Sequence, residues 1–136
     1  MRSLKGKRVV VMGLGLFGGG VGAVRFLCRE GARVTVTDLR PASDLKESLE
    51  KLDGCSVSLK LGGHDEADFQ SADLIVANPG VPRSSAFLKL AEAAGVPVTT
   101  EICLFMERCP APMVGVTGSS GKTTTTCLLA AMLGQE

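Results

Sequence analysis

The chain has 136 residues, 45% hydrophobic and 21% charged, and its 15 basic and 14 acidic side chains leave a net charge of +1. That is ample apolar material for a packed core, and so even a balance removes the electrostatic motive for general nucleic-acid or membrane-surface binding. Phosphate recognition, if present, has to be local.

The basic start at Arg2, Lys5, Lys7 and Arg8 runs into apolar residues as far as Val24. Glycines break that run and no small-residue cleavage site closes it, so neither a signal peptide nor membrane insertion is expected. Arg8 to Met12 reads as a strand buried on both faces, and Gly13 to Gly20 as a turn. Val21, Val24 and Cys28 mark the inner face of a helix that Gly31 stops, and Arg33 to Thr37 is a second strand ending at Asp38. A helix over Asp44 to Leu52, a strand at Val57 to Leu61, a short helical segment from Asp65 to Phe69 and a strand at Leu74 to Ala77 follow. Beyond the loop Asn78-Pro79-Gly80-Val81-Pro82, the spacing of Phe87, Leu90, Ala91 and Ala94 predicts a helix. Gly95 ends it, and Val96 to Thr99 is the last strand of the series. Ile102, Phe105, Met106 and Cys109 then space one more helix after Glu101. Strands alternating with helices predict a Rossmann-like α/β domain, a doubly wound parallel sheet with right-handed crossovers.

Cys109-Pro110-Ala111-Pro112 reads as a boundary, with one domain over residues 1–109 and the start of a second over 110–136. In the second, Met113 to Thr117 is strand-like and Leu129, Met132 and Leu133 recur at helical spacing. Between them, Gly118-Ser119-Ser120-Gly121-Lys122-Thr123-Thr124 reads as a phosphate-cradling loop. Glycines at 118 and 121 let successive amides converge on phosphate oxygens, Lys122 adds a point charge and the Thr123 hydroxyl suits Mg²⁺. The first glycine of the usual G-x-x-x-x-G-K-[ST] pattern is replaced by Val116. So short a piece encloses no core of its own, and it is expected to open a domain of a longer protein. Its uncovered Leu128, Leu129, Met132 and Leu133 would then allow self-association as an artefact of truncation.

The earlier loop, Gly13-Leu14-Gly15-Leu16-Phe17-Gly18, follows a strand, opens a helix and is succeeded by Asp38 at the end of the next strand. This is the dinucleotide fingerprint, with a diphosphate on the helix N-terminus and a carboxylate for a ribose hydroxyl. Arg40 either reaches a phosphate or base edge or stands solvated in its loop. Two phosphate loops suit a ligase that handles two nucleotides better than an enzyme of hydride transfer.

Taken in order, Gly13 to Gly18, Thr37-Asp38-Leu39-Arg40, Ala77 to Pro82, Thr100-Glu101-Ile102-Cys103-Leu104-Phe105 and Gly115 to Thr124 resemble the motifs of the Mur ligases of peptidoglycan synthesis, most nearly the D-glutamate-adding branch. The resemblance covers essentially the whole chain. It implies a UDP-sugar-binding domain followed by the opening of a central ATPase domain, in a cytoplasmic enzyme. It implies ATP and Mg²⁺ as cofactors and UDP-N-acetylmuramoyl-L-alanine and D-glutamate as substrates. Phosphoryl transfer to a carboxylate would give an acyl phosphate, which the amine attacks. Gly15, Leu16, Phe17 and Gly18 would lie along the UDP moiety, Asp38, Leu39 and Arg40 would flank uracil and ribose, and Asn78 and Gly80 would close over the nucleotide. Gly118 to Thr124 would cradle ATP, with Lys122 and Thr123 catalytic and Thr123 the Mg²⁺ ligand. Phe17 and Leu39 depart from the family, which often has hydroxyl residues there. With the remaining metal and amino-acid sites absent, residues 1–136 alone are expected to bind UDP-sugar weakly and form no product. Two rivals remain: a nicotinamide-dependent oxidoreductase domain, for which Asp38 is the ribose ligand, and a non-catalytic nucleotide-sensing module.

The five cysteines are scattered singly, which predicts buried thiols in a reducing cytoplasm. His64, in a turn before a helix, is expected to cap it or be solvated, and Glu101 to favour a helix dipole. Asp65, Asp68 and Asp73 fit helix and turn polarity better than a metal site.

Overall fold

The computed structural model describes residues 3–16 and 18–134. Five strands, β1 (Arg8–Met12), β2 (Arg33–Asp38), β3 (Val57–Leu61), β4 (Leu74–Ala77) and β5 (Val98–Thr100), alternate with helices α1 (Gly19–Arg29), α2 (Lys46–Glu50), α3 (Glu66–Ser71) and α4 (Ala86–Ala93). Helices α5 (Glu101–Arg108) and α6 (Lys122–Leu133) follow. The strands form one sheet in the order β3-β2-β1-β4-β5, and every pairing is parallel.

The apolar run of β1 explains its central place. Val9 and Val11 point to one face, where they pack with Val21, Val24 and Leu27 of α1, Val34 and Val36 of β2, and Leu104 of α5. Val10 and Met12 point to the other, against Phe69 of α3, Ile75 and Ala77 of β4, and Leu88 and Ala91 of α4. A strand with helices on both faces has no solvent side, which is why it shows no polar alternation.

Several boundaries move for local reasons. α2 is confined to Lys46–Glu50, with turns filling the rest of the expected helix. Asp65 is the N-cap of α3, its side chain accepting from Ala67 N–H at 3.0 Å, so the helix starts one residue later than expected. β5 begins at Val98 because Pro97 has no N–H to give; its carbonyl still accepts from Ile75 N–H at 2.9 Å. The strand expected over residues 113–117 does not form: the segment is irregular. Its composition suits a strand, but the sheet ends at β5 and no described strand lies alongside to complete a ladder.

The cysteines also correct their expectation. Cys103 and Cys127 are exposed and Cys28, Cys55 and Cys109 only half-buried, and all are free thiols. Cys28 lies at the margin of the α1 core, where burial first and the nearby Cys55 second push its thiol pKa up.

Candidate nucleotide site

In this order the chain moves from β1 to β2 and β3 on one side, then returns to place β4 on the other side of β1. The loops after β1 and β4 therefore diverge and open a crevice at the carboxyl edge of the sheet, where α/β folds bind ligands.

The loop after β1 is held from beneath by Asp38. This side chain, 3% exposed, accepts from Leu14 N–H at 2.9 Å and Gly15 N–H at 3.2 Å through Oδ2, and from Arg40 N–H at 2.9 Å through Oδ1. Gly13 N–H donates to Thr37 C=O at 2.7 Å, and Ser48 of α2 donates its hydroxyl to Gly15 C=O at 2.8 Å. The glycines answer to close approach: a Cβ on Gly20 would sit 2.2 Å from the Leu14 carbonyl oxygen, and one on Gly13 3.0 Å from Asn78 Cβ. Gly18, at φ +89°, is the N-cap of α1 and offers no side-chain cap. The first intrahelical bond runs from Gly22 N–H to Gly18 C=O, so the amides of Gly19, Gly20 and Val21 precede any helical acceptor and carry the positive end of the helix dipole.

The opposite wall is the loop after β4. Asn78 Oδ1 accepts from Gly80 N–H at 2.9 Å, closing a tight Asx turn, and its amide lies over Gly15. Between the walls is a cavity of about 930 Å³. Gly15, Leu16, Asp38, Leu39, Arg40, Asn78 and Gly80, all named from sequence, line it together. Gly18 stands beside it as the helix cap, and Phe17 lies outside the described residues. Leu39 is 69% exposed at the rim, and Arg40 holds its guanidinium 3.7 Å from Asp38 Oδ1.

Three of the lining residues not read as site residues bear on its chemistry. His64 is not a cap and is only partly solvated: its ring is half-buried, edge-on to Phe69 and Phe87 at centroid separations of 5.8 and 4.9 Å, and Nδ1 is 2.6 Å from Thr37 Oγ1. Burial holds its pKa below the usual 6.5, against the opposing pull of Asp38. Phe87 faces the cavity from α4. Glu101 opens α5, whose N-cap is Thr100, and its carboxylate lies where a Cβ on Gly19 would have to go. Burial pushes its pKa up, and it places an acid beside the start of α1. The only signal for His64 was a turn at the carboxyl end of β3, the edge that also carries the glycine loop.

The second loop stands apart from this cavity. Gly118 and Gly121 adopt φ +151° and +78°, Gly121 is the N-cap of α6, and Lys122 Nζ donates to Gly118 C=O at 2.6 Å. Ser119, Ser120, Thr123 and Thr124 are exposed around it, and α6 has no buried residue. Asp65, Asp68 and Asp73 serve structure, as expected: Lys60 reaches Asp65 at 2.8 Å and Asp68 at 2.7 Å, while Asp73 accepts from Arg8 N–H at 2.8 Å.

Comparison with known proteins gives this geometry a family. The family model described as Mur ligase MurD-like, N-terminal domain, matches residues 7–100. A UDP-N-acetylmuramoylalanine--D-glutamate ligase of Roseiflexus sp. (strain RS-1) is 51% identical over 133 residues, which is 98% of this chain and 28% of that protein. The protein of the same name from Geobacter metallireducens is 51% identical over 125 residues, 92% of this chain and 27% of its own length. The chain thus spans about a quarter of these curated relatives. Among solved structures, a pseudomurein peptide ligase type C from Methanothermus fervidus superposes with a TM-score of 0.61 at 30% identity, over 93% of this chain and 26% of that one. By a match that runs from β1 to the end of β5, the chain belongs to the family of MurD-like N-terminal domains of Mur ligases.

Proposed function

We propose that this chain is the UDP-sugar-binding part of a cytoplasmic ligase that joins D-glutamate to UDP-N-acetylmuramoyl-L-alanine, with a nucleotide-binding domain over 1–109 and the start of an ATP-binding domain over 110–136. The observation that carries the reading is the cavity at the sheet's switch point, in which Gly19 at the N-terminus of α1 meets a space walled by Asn78, Gly80, Leu39 and Arg40. The names of the relatives support the substrate.

The amides of Gly19 to Val21 bind the diphosphate, as their dipole favours. Leu16 and Leu39 cover the apolar edges of the nucleoside, and the Arg40 guanidinium adds positive charge at the rim. Asp38 acts through the loop it holds, since its oxygens already serve three amides. Asn78 and Gly80 form the opposite wall.

The second loop fits ATP and Mg²⁺ by its donor set: glycines in positive φ, a lysine and hydroxyls ahead of the first helical bond, Thr125 N–H to Gly121 C=O. Gly118, Ser119, Ser120, Gly121, Lys122, Thr123 and Thr124 would hold the phosphates and Thr123 the metal ion. Bound there, ATP supplies the phosphoryl group that activates a carboxylate. Lys122 contributes charge at the phosphates in place of its present bond to Gly118, and Thr123 contributes an oxygen ligand.

Calorimetric titration with UDP-N-acetylmuramoyl-L-alanine, beside NAD and NADP in the same buffer, tests the reading. Heat from the UDP-sugar alone is expected, with no product when ATP and D-glutamate are added. Binding of a nicotinamide nucleotide instead would turn the reading to an oxidoreductase.

A further inference from the structure

Thr37 is fully buried near the end of β2, and its hydroxyl has one proton to give. That proton goes to Gly63 C=O at 3.0 Å, a group that can only accept. The same oxygen is 2.6 Å from His64 Nδ1. With its own proton committed, Thr37 Oγ1 must accept at this second contact, so the proton of the imidazole is on Nδ1. Burial keeps the ring neutral at pH 7, which leaves Nε2 with a lone pair. No described residue bonds Nε2, and the ring lines the cavity beside Asp38, Leu39 and Arg40. Phe69 from α3 and Phe87 from α4 pack edge-on against it and fix its plane. Of the cavity's other side-chain acceptors, the Asp38 oxygens serve backbone amides and Asn78 Oδ1 serves Gly80, while the Glu101 carboxylate stands against Gly19 at the start of α1. Arg40 can only donate.

We propose that His64 reads the base: its Nε2 is a fixed acceptor that selects a pyrimidine with a ring N–H, uracil, over cytosine, which has a lone pair at the same ring position. This rests on the uridine-nucleotide reading above and assigns the selectivity to one residue. A uracil N3–H completes a hydrogen bond on Nε2. A cytosine N3 sets lone pair against lone pair, and both atoms lose their water without a partner. Thr37 is the positioning residue, because its buried hydroxyl decides which nitrogen carries the proton.

UDP and CDP, titrated separately into the chain by calorimetry, are the probes, and a long-range ¹H–¹⁵N correlation spectrum reads the tautomer directly, His64 being the single histidine. We expect an Nδ1–H tautomer and UDP bound about tenfold more tightly than CDP, the scale of one hydrogen bond. His64→Phe, which keeps a ring between Phe69 and Phe87, is expected to bring that ratio to about one through weaker UDP binding. His64→Gln, whose Oε1 can accept, is expected to restore part of it. A UDP preference that survives in His64→Phe, or an Nε2–H tautomer in the wild-type chain, overturns this assignment and leaves the uridine reading standing. Failure of the wild-type chain to bind UDP overturns both. The tautomer needs no variant, so the proposal stays testable if a substitution prevents folding.

Discussion

At the scale of single residues, the carboxylate of Asp38, 3% exposed, accepts N–H groups from Leu14, Gly15 and Arg40. Asp38→Ala should therefore cost about 3 kcal/mol, the range for buried donors left unpaired, as read from urea denaturation. Loss of nucleotide binding should accompany it even though the side chain spends its bonds on its own chain. His64 gives a pH dependence. Its pKa is lower in the folded chain than in the unfolded one, so the unfolded chain takes up the proton first as pH falls. Its share of stability is present above about pH 6.5 and lost below it. The charged groups around it are Asp38 from β2, which opposes the shift, with Arg40 next to Asp38 and Glu101 also lining the cavity. Denaturation midpoints from pH 8 to 5.5 should fall for the wild type and vary less for His64→Phe. Sequence named Asp38 through its position at a strand end, but not its three bonds, because two of the amides it accepts belong to a loop more than twenty residues earlier. It placed His64 in a turn and missed its contacts, because the partners Thr37, Phe69 and Phe87 come together only when β2, α3 and α4 are packed.

At the scale of elements, the glycine loop and α1 behave as one piece. Gly20→Ala would drive a Cβ to 2.2 Å from a backbone oxygen that no rotamer can move, whereas a Cβ on Gly54 meets nothing. Gly20→Ala is expected to lose about 3 kcal/mol or to separate loop from helix, and Gly54→Ala, at φ +79°, about 1 kcal/mol. Thermal melts of the pair separate collision from backbone strain. The regular elements were legible where periodicity and punctuation agreed, as in β1, β2, β4 and α4. Their edges were less so, because Pro97 and Asp65 shift the first paired residue in ways that composition does not show. The segment 113–117 is the informative failure: its residues favour a strand, but a strand is completed by its neighbour's hydrogen bonds.

At the scale of the whole chain, the core ends with α5. The buried apolar residues run from Leu4 to Leu104, and α6 buries none. Brief proteinase K digestion is expected to cut near Pro110 to Pro112 and leave a core whose melting temperature matches that of the uncut chain. A resistant tail and a lower melting temperature after removal would show that α6 supports the fold. The parallel sheet was legible from the alternation of strand and helix. The cavity was legible only in outline, since β1, β2 and β4 ends were known to meet while the α4 and α5 contributions depended on how those helices cross the sheet edge.

The grip of Asp38 and Ser48 on the glycine loop has a consequence for kinetics. Leu14 and Gly15 are held in place once the chain is folded, so the nucleotide proposed to bind there should meet a backbone already fixed and have little disorder left to remove. The encounter should resemble docking of a key more than closing of a hand. Association should be quick and nearly independent of solvent viscosity changes that slow loop motion, and tightness should be decided by how slowly the ligand leaves.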